Sequence, residues 1–522
     1  MMKKAIKKLL AALLAVAMVC AMAIPAFAYN TEENLNGTHG YSAFQIFKGV
    51  ISKDNMTLSN VEWGRNIPHY EDFLANLKED PTLKIPFQDA DNLQDVLAVI
   101  SQWSESDNNS IAFARFVCSY LYPDANANPK PVYTDHTGGF NIQEPGYYLI
   151  VDTTYFNPGD FYHAYNSFFL LNVPQAPYVV LVNHKVVKPY VEKEVYDNQD
   201  GTNEAGFGSS ADHAINEEFQ FKLTATLPAS PDRAYDYYKE YAVLFNDTLS
   251  NGITYDRLDS VVIKSNGIPY DITNDSSMYE VDDSRLESDH YFVVGIPDVK
   301  ACGAGLNLND GATITVTYTA HLNDNAAVNS TSGSTDNKNK VQLQYSNNPR
   351  NSAYWGFTPE SEVRVYTYQL NNTKYRDDDT TGNELAGAGF RLYSDKDCTE
   401  EQEIKLKKNT TDGTYSPYFG TDAGDEMFSD EHGQFNVKGL DAGTYYLRET
   451  KTPDGYSACA DKKIVISATH TEYNVNLSGE SNLNNKIINI KAGGITLPST
   501  GGIGTTLFLS LIHISEPTRR VV

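Results

Sequence analysis

Short runs that alternate apolar and polar residues, separated by NG, DG and GG turns, make up most of this sequence, and each such run can bury only one face. Two sheets packed face to face satisfy that pattern, so the chain is read as mainly β, a tandem series of β-sandwiches. Helical spacing is confined mainly to the first third, in HYEDFLANLKED (69–80) and SIAFARFVCSYLY (110–122), where helices are expected to pack across a sheet. A length of 522 residues suggests about three domains. GGFNIQEPGYYLIVDTT, from Gly138, is repeated in outline by GQFNVKGLDAGTYYLRETKTPDGY, from Gly433, so both belong in related sandwiches. Boundaries are placed near 185 and 360, giving modules over 29–185, 186–360 and 361–490.

The two ends carry addressing signals. Residues 1–28 have a lysine-rich start, an apolar run and the small-residue end AFA, the pattern of a secretory signal peptide cut after Ala28. Removing Lys3, Lys4, Lys7 and Lys8 with that leader takes the formal charge from −26 to −30, a surface that repels nucleic acid and anionic lipid. Outside the leader stand Cys118, Cys302, Cys398 and Cys459, too few for disulfides to be the main staple; Cys398 and Cys459 fall in one module and could pair. LPSTGG (497–502) resembles the LPxTG signal cut by sortase transpeptidases between threonine and glycine, here Thr500 and Gly501, with Leu497, Pro498 and Ser499 completing the motif. The apolar stretch after it is about half of the ~20 residues a spanning helix needs, and the last dozen residues look foreign or truncated, so 491–522 is read as a sorting signal with an aberrant tail.

Alternation places lysines among apolar side chains. In VKPYVEKEV (187–195) Lys193 shares a face with Val191 and Val195, and in VYTYQLNNTKY (365–375) Lys374 shares one with Tyr366, Tyr368, Leu370 and Asn372. In TYYLRET Glu449 lies on the face of Tyr445 and Leu447, and in NKIINIK Asn489 lies on that of Ile487. First and last strands of a sandwich can be neighbours, which would bring Lys374, Glu449 and Asn489 together in one core. Separately, buried polar groups are costly. Together they can react: desolvation frees the amine lone pair and favours a neutral acid, which can bind the Asn489 amide oxygen and shuttle protons while Lys374 attacks and ammonia leaves. The plainer alternative is a Glu449–Lys374 ion pair at a sheet edge with Asn489 capping a turn; for Lys193 it is an edge strand whose valines face solvent.

AGTYYLRETKTPDGY closely resembles the E-box of Cna protein B-type domains, Ig-like sandwiches whose glutamate assists an intramolecular Lys–Asn isopeptide bond; Glu449 falls on that glutamate. LNNTKYRDDDTTGNELAGAGFRLY resembles the opening of the same domains, with Lys374 at the reactive lysine and Asn372 where an apolar residue is usual. The middle module, through PYVEKEV, FQFKLTATLPAS, YAVLFNDTLSNGITYD and NKVQLQYSNNP, resembles the middle domain of sortase-assembled pilin backbone subunits of Gram-positive bacteria. That resemblance implies Lys193 as reactive lysine, Asp247 as assisting carboxylate and an asparagine of YSNNP as electrophile; alternation of Val341, Leu343 and Tyr345 favours Asn347 over Asn348. In the first module Val151 stands where Glu449 does, and Asp152 points to the opposite face, so no crosslink is expected there.

In such pilins a lysine ahead of the middle domain attacks the sortase thioacyl intermediate on the previous subunit. Lys185 is the candidate here, although His184 replaces the usual proline before it, and Lys188 is the runner-up. The resemblance implies pilus-type and housekeeping sortases, other copies of the chain head to tail, minor pilins and peptidoglycan as partners, at a cell-wall-anchored surface pilus; a wall-anchored adhesin or minor pilin that does not polymerise is the alternative. No H-E-x-x-H, G-x-S-x-G, Walker or Cys-x-x-Cys motif points to an enzyme, and no cofactor is expected. DNQDGTNE (197–204) and RDDDTTGNE (376–384) lack full EF-hand spacing and are read as solvated turns, with no metal site expected.

Overall fold

The computed structural model describes residues 40–51, 58–104, 107–123, 127–135, 139–153, 168–173, 178–181, 188–198, 205–231, 233–328, 337–350, 355–471, 474–478, 481 and 483–493. It forms two compact units, 1–366 with 469–476, and 367–468 with 477–522. The fold is mainly β, as alternation predicts.

In the first unit, the N-terminal part has a sheet ordered Leu58–Trp63, Tyr41–Ile51, Gly146–Asp152, Phe168–Val173, with Tyr133–Asp135 pairing the second of these. Helices Tyr70–Glu79 and Asn108–Leu121 form where the three- and four-residue spacing predicts them. A further helix, Leu93–Ile100, is started by Asn92, whose side chain accepts hydrogen bonds from the amides of Gln94 and Asp95. Every residue of strand Gly146–Asp152 is buried. Tyr147, Leu149 and Val151 pack with helix residues such as Phe113 and Val117, while Tyr148 and Ile150 join Tyr41 and Ala43 on the other face. Val151 is therefore a core residue, and Asp152 lies opposite Tyr41 in the strand ladder.

The middle part is a two-sheet sandwich. One sheet runs Ser210–Asp212, Ser361–Tyr366, Asn337–Ser346, Val243–Leu249, Tyr291–Ile296, Glu280–Asp282. The other runs Ile268–Asp271, Ile253–Ser265, Ala312–Leu322, Glu218–Leu227, Tyr190–Asp197, Gly206–Gly208. Phe219, Phe221, Leu223, Ala225 and Leu227 face inward from one strand, Ile314, Val316, Tyr318 and Ala320 from its neighbour. Each fully buried large apolar side chain contributes about 1.5–3 kcal/mol, so these rows fix which face of each strand points inward. Strand Ser361–Tyr366 pairs with Asn337–Ser346 and adds Val363 and Val365 to this core. The boundary expected near 360 thus moves to 366, because the alternating stretch that begins there is two strands and not one.

The second unit has one sheet ordered Leu406–Lys408, Tyr415–Pro417, Val437–Leu440, Tyr368–Arg376, Asn484–Asn489 and another ordered Glu403–Ile404, Gly389–Tyr393, Gly443–Lys451, Lys462–Ile466. Phe390 and Phe435 stack between them with ring centroids 4.3 Å apart. First and last strands are neighbours and run parallel, with Lys374 opposite Ile487 and Arg376 opposite Asn489.

Candidate functional site

Parallel pairing of the second unit's end strands puts Lys374 and Asn489 two register positions apart on one inward face. Both are buried, and the Lys374 amine donates to the Asn489 amide oxygen. Asn489 Nδ2 donates to Glu449 Oε1 at 2.7 Å, and that carboxyl lies 3.8 Å from Lys374 Nζ. The acid therefore sits on the nitrogen that would leave, and not on the amide oxygen where a neutral acid was expected to bind. From there it can hand a proton to departing ammonia directly, and a closure of the 3.8 Å gap to Lys374 Nζ would let it receive one from the amine. The Cys459 amide donates to Glu449 Oε2 at 2.8 Å and fixes the carboxyl plane. Burial lowers the Lys374 pKa below the ordinary lysine value, against the opposing pull of Cys459 and Glu449.

Local backbone holds the lysine in place. The Lys374 amide donates to Gly433 O at 2.8 Å, and a Cβ on Gly433 would come within 2.4 Å of Lys374 O, while its φ of +72° suits glycine. Gly433 opens the repeat seen in the sequence, which gives that glycine a physical role. Asn372, unusual for its apolar position, is matched by Asn485, whose Nδ2 donates to Asn372 Oδ1 at 3.1 Å, and its own Nδ2 reaches Phe435 O at 3.2 Å. Cys398 and Cys459 are free thiols and do not form the disulfide that their shared module allowed.

A second cluster occupies the middle sandwich. Lys193 and Asp247, both with wholly buried side chains, form an ion pair across the two sheets. Tyr318, from the strand Ala312–Leu322, holds them: Lys193 Nζ donates to its hydroxyl at 3.0 Å, and the hydroxyl donates to Asp247 Oδ1 at 3.2 Å. Asn339 completes the group, its Nδ2 donating to Tyr318 Oη at 2.5 Å, while its amide oxygen is buried without a hydrogen-bond partner. The Lys193 amine also lies over the rings of Phe221 and Tyr318, at 5.1 and 5.3 Å.

The structure brings Asn339 to this cluster, not Asn347 or Asn348. Asp247 is opposite Val341, so Asn347 lies six residues further along the strand direction, about 20 Å away. Asn348 is in the following turn, where its Oδ1 accepts from the Arg350 amide at 2.9 Å. Tyr318 and Asn339 were both missed in the sequence. Asn339 carries the same parity as Val341, Leu343 and Asn347, so alternation could not single it out once the resemblance had pointed to YSNNP.

Burial pushes the Lys193 pKa down to about 8 despite Asp247, and pushes Asp247 above the usual carboxylate range despite Lys193. Between about pH 8 and 10.5 an unfolded Lys193 holds a proton that the folded one has lost, so stability rises with pH across that window. Comparing N339A with N339A/K193M isolates this effect. From pH 8 to pH 10 the stability difference between the two should move in favour of the lysine-bearing N339A chain in urea titrations, by up to about 3 kcal/mol.

Lys185, Leu497, Pro498, Ser499, Thr500 and Gly501 lie outside the described residues. Lys188 is half-buried, two residues before the strand Tyr190–Asp197. Among the described residues of the N-terminal part no lysine is buried. In RDDDTTGNE, Asp378 Oδ1 accepts from the Thr380 amide at 3.0 Å and from Asn383 at 2.7 Å in an exposed turn, as expected.

Residues 371–481, which carry Lys374 and Glu449, match the family model of the SpaA prealbumin-like fold domain. This SpaA-type domain is the greater part of the second unit. A search of curated proteins returned no match. Among solved structures, the T6 backbone pilin of serotype M6 Streptococcus pyogenes is 16% identical with a TM-score of 0.50, covering 88% of this chain and 97% of that one. The full-length major pilin SpaD from Corynebacterium diphtheriae is 16% identical with a TM-score of 0.43, covering 90% and 95%. The group B streptococcus pilus 2b backbone protein is 22% identical with a TM-score of 0.40, covering 58% and 98%. At 16% identity the first of these likenesses, to a structure of three modular domains, speaks for the fold alone.

Proposed function

We propose that this chain is the backbone subunit of a covalently polymerised surface pilus, and that its middle and SpaA-type modules each close on themselves with an isopeptide bond, Lys193–Asn339 and Lys374–Asn489. The observation that carries this reading is the dry cluster of Lys374, Glu449 and Asn489, where an amine, a carboxyl and a carboxamide meet with no solvent access to any of them. In each bond the lysine Nζ attacks the asparagine Cγ, the carboxyl takes a proton from the amine and delivers it to Nδ2, the Cγ–Nδ2 bond breaks and ammonia departs. Folding supplies the proximity. The product is a neutral amide, so the cost of an ammonium in the core disappears. Asp247 plays the carboxyl role in the middle module, with Tyr318 as a hydroxyl relay between it and Asn339.

The export leader, LPSTGG and the backbone-pilin architecture together support assembly by sortases, with Thr500 of one copy joined to Lys185 of the next and the last copy passed to peptidoglycan. Head-to-tail joining of unlike surfaces gives an open polymer. Surface adhesion would follow from the pilus and its minor subunits. Co-expression with a pilus sortase should give a ladder of polymers on denaturing gels for the wild-type chain and none for K185A. A K185A ladder that persists but disappears in K188A moves the linkage to Lys188. A wild-type chain that reaches the wall only as monomer overturns the backbone role in favour of a non-polymerising adhesin.

A further inference from the structure

Asp197, first residue of the stretch read as a solvated acidic turn, is not solvated. It ends the strand Tyr190–Asp197, and its side chain is 8% exposed. Facing it are Asp212, from the strand Ser210–Asp212 and wholly buried, and His470, 5% exposed, from the 469–476 segment of the same compact unit. We propose that Asp197, Asp212 and His470 bind one divalent transition-metal ion, with Zn²⁺ the best match to the donor set.

Geometry favours a shared ion over hydrogen bonds. His470 Nε2 lies 3.3 Å from Asp197 Oδ2 and 3.5 Å from Asp212 Oδ1, and it has no hydrogen-bond partner. Charge-assisted hydrogen bonds close to about 2.7–2.9 Å. Ligand atoms at 2.0–2.2 Å from a tetrahedral ion are separated from each other by about 3.3–3.6 Å, the spacing that both carboxylate oxygens keep from Nε2. One ligand atom from each of the three residues falls within 4.8 Å of the others. On its far side the imidazole is oriented by Ser210, whose Oγ is 2.8 Å from Nδ1. With that hydroxyl accepting from Nδ1–H, the Nε2 lone pair points at the carboxylates, the arrangement of a histidine ligand with its outer partner.

The orienting contacts continue outward. The Asp212 amide donates to Asp197 Oδ1 at 3.3 Å, turning Oδ2 toward His470. The Tyr366 ring lies 5.9 Å from the imidazole, and its hydroxyl donates to Thr471 O at 2.9 Å, holding the segment that carries the histidine. Charge also balances. Two carboxylates and a neutral imidazole leave a dry site with two negative charges, which a divalent ion cancels and a single proton does not. The mixed nitrogen and oxygen donors suit Zn²⁺ better than Ca²⁺, which takes oxygen ligands, and three protein ligands leave one position for water.

The test uses the untagged mature chain, stripped with a chelator, dialysed against Zn²⁺ and desalted before elemental analysis. The expected result is one Zn²⁺ per chain and a raised melting temperature, with Ca²⁺ giving neither. H470Q and D212N should lose the ion, and S210A should bind roughly 10- to 100-fold more weakly. Should the variants fail to fold, Co²⁺ loaded into the wild-type chain must give the strong visible absorption of a tetrahedral site, displaced by Zn²⁺. Less than stoichiometric zinc in the wild type, unchanged zinc in H470Q, or the pale spectrum of octahedral cobalt each overturns the proposal. So does imidazole NMR showing His470 as a cation in the presence of excess Zn²⁺, since that proton would fill the place of the metal.

Discussion

Intact-mass measurement of the mature chain should return a value two ammonia molecules below the sum of its residues, and tryptic mapping should find two branched peptides, Lys193 joined to Asn339 and Lys374 joined to Asn489. Each loss depends on one carboxyl. D247A should regain one ammonia and E449A the other, because without a proton carrier the tetrahedral adduct returns to starting material. Two further variants separate the candidate asparagines. N339A should regain one ammonia, while N347A, about 20 Å along the strand direction from the partner of Asp247, should keep both deficits. A wild-type mass equal to the plain residue sum would end the self-closing reading of both modules.

Removing either bond should cost more stability than almost any ordinary core substitution. Lys374 and Asn489 are 115 residues apart, and closing a loop of that length is worth about 5 kcal/mol in the unfolded-state entropy model. N489A and N339A are the fair tests, since they delete the electrophile and leave each lysine its carboxyl, whereas D247A also strands a buried ammonium and costs several kcal/mol more. With about 2–4 °C per kcal/mol for modules of this size, each asparagine variant should melt roughly 10–20 °C below the wild type. Calorimetry should show the two transitions falling one at a time, with trypsin resistance lost in the same module. An N339A chain that melts with the wild type removes Asn339 from the crosslink.

The SpaA-type cluster was legible because each of its three members sits at the end of a short alternating run, where parity and strand order settle position. In the middle module parity left the answer open. Asn339 and Asn347 occupy the same face of one continuous strand, and only its pairing with Val243–Leu249 says which lies near Lys193. That register is set by long-range packing, which no local pattern encodes. Tyr318 was hidden for a different reason: a tyrosine in an inward row reads as core, and its hydroxyl shows a role only once Lys193 and Asp247 are placed around it. The 360 boundary failed at Thr367, where one strand ends and the next begins and the inward row slips from Val363 and Val365 to Tyr368 and Leu370. His470 had no signal at all, since its two aspartates come from strands more than 250 residues earlier.

Parallel neighbours at the start and finish of the SpaA-type domain decide how far it can stretch. A pull applied at both ends of the domain enters through Tyr368–Arg376 and leaves past Asn489, so a bond from Lys374 to Asn489 short-circuits the 115-residue span between them. That span would otherwise pay out about 400 Å of slack chain on unravelling. With the bond closed that slack is withheld, and a filament built from such units would lengthen under tension only through the chain that lies outside each tie.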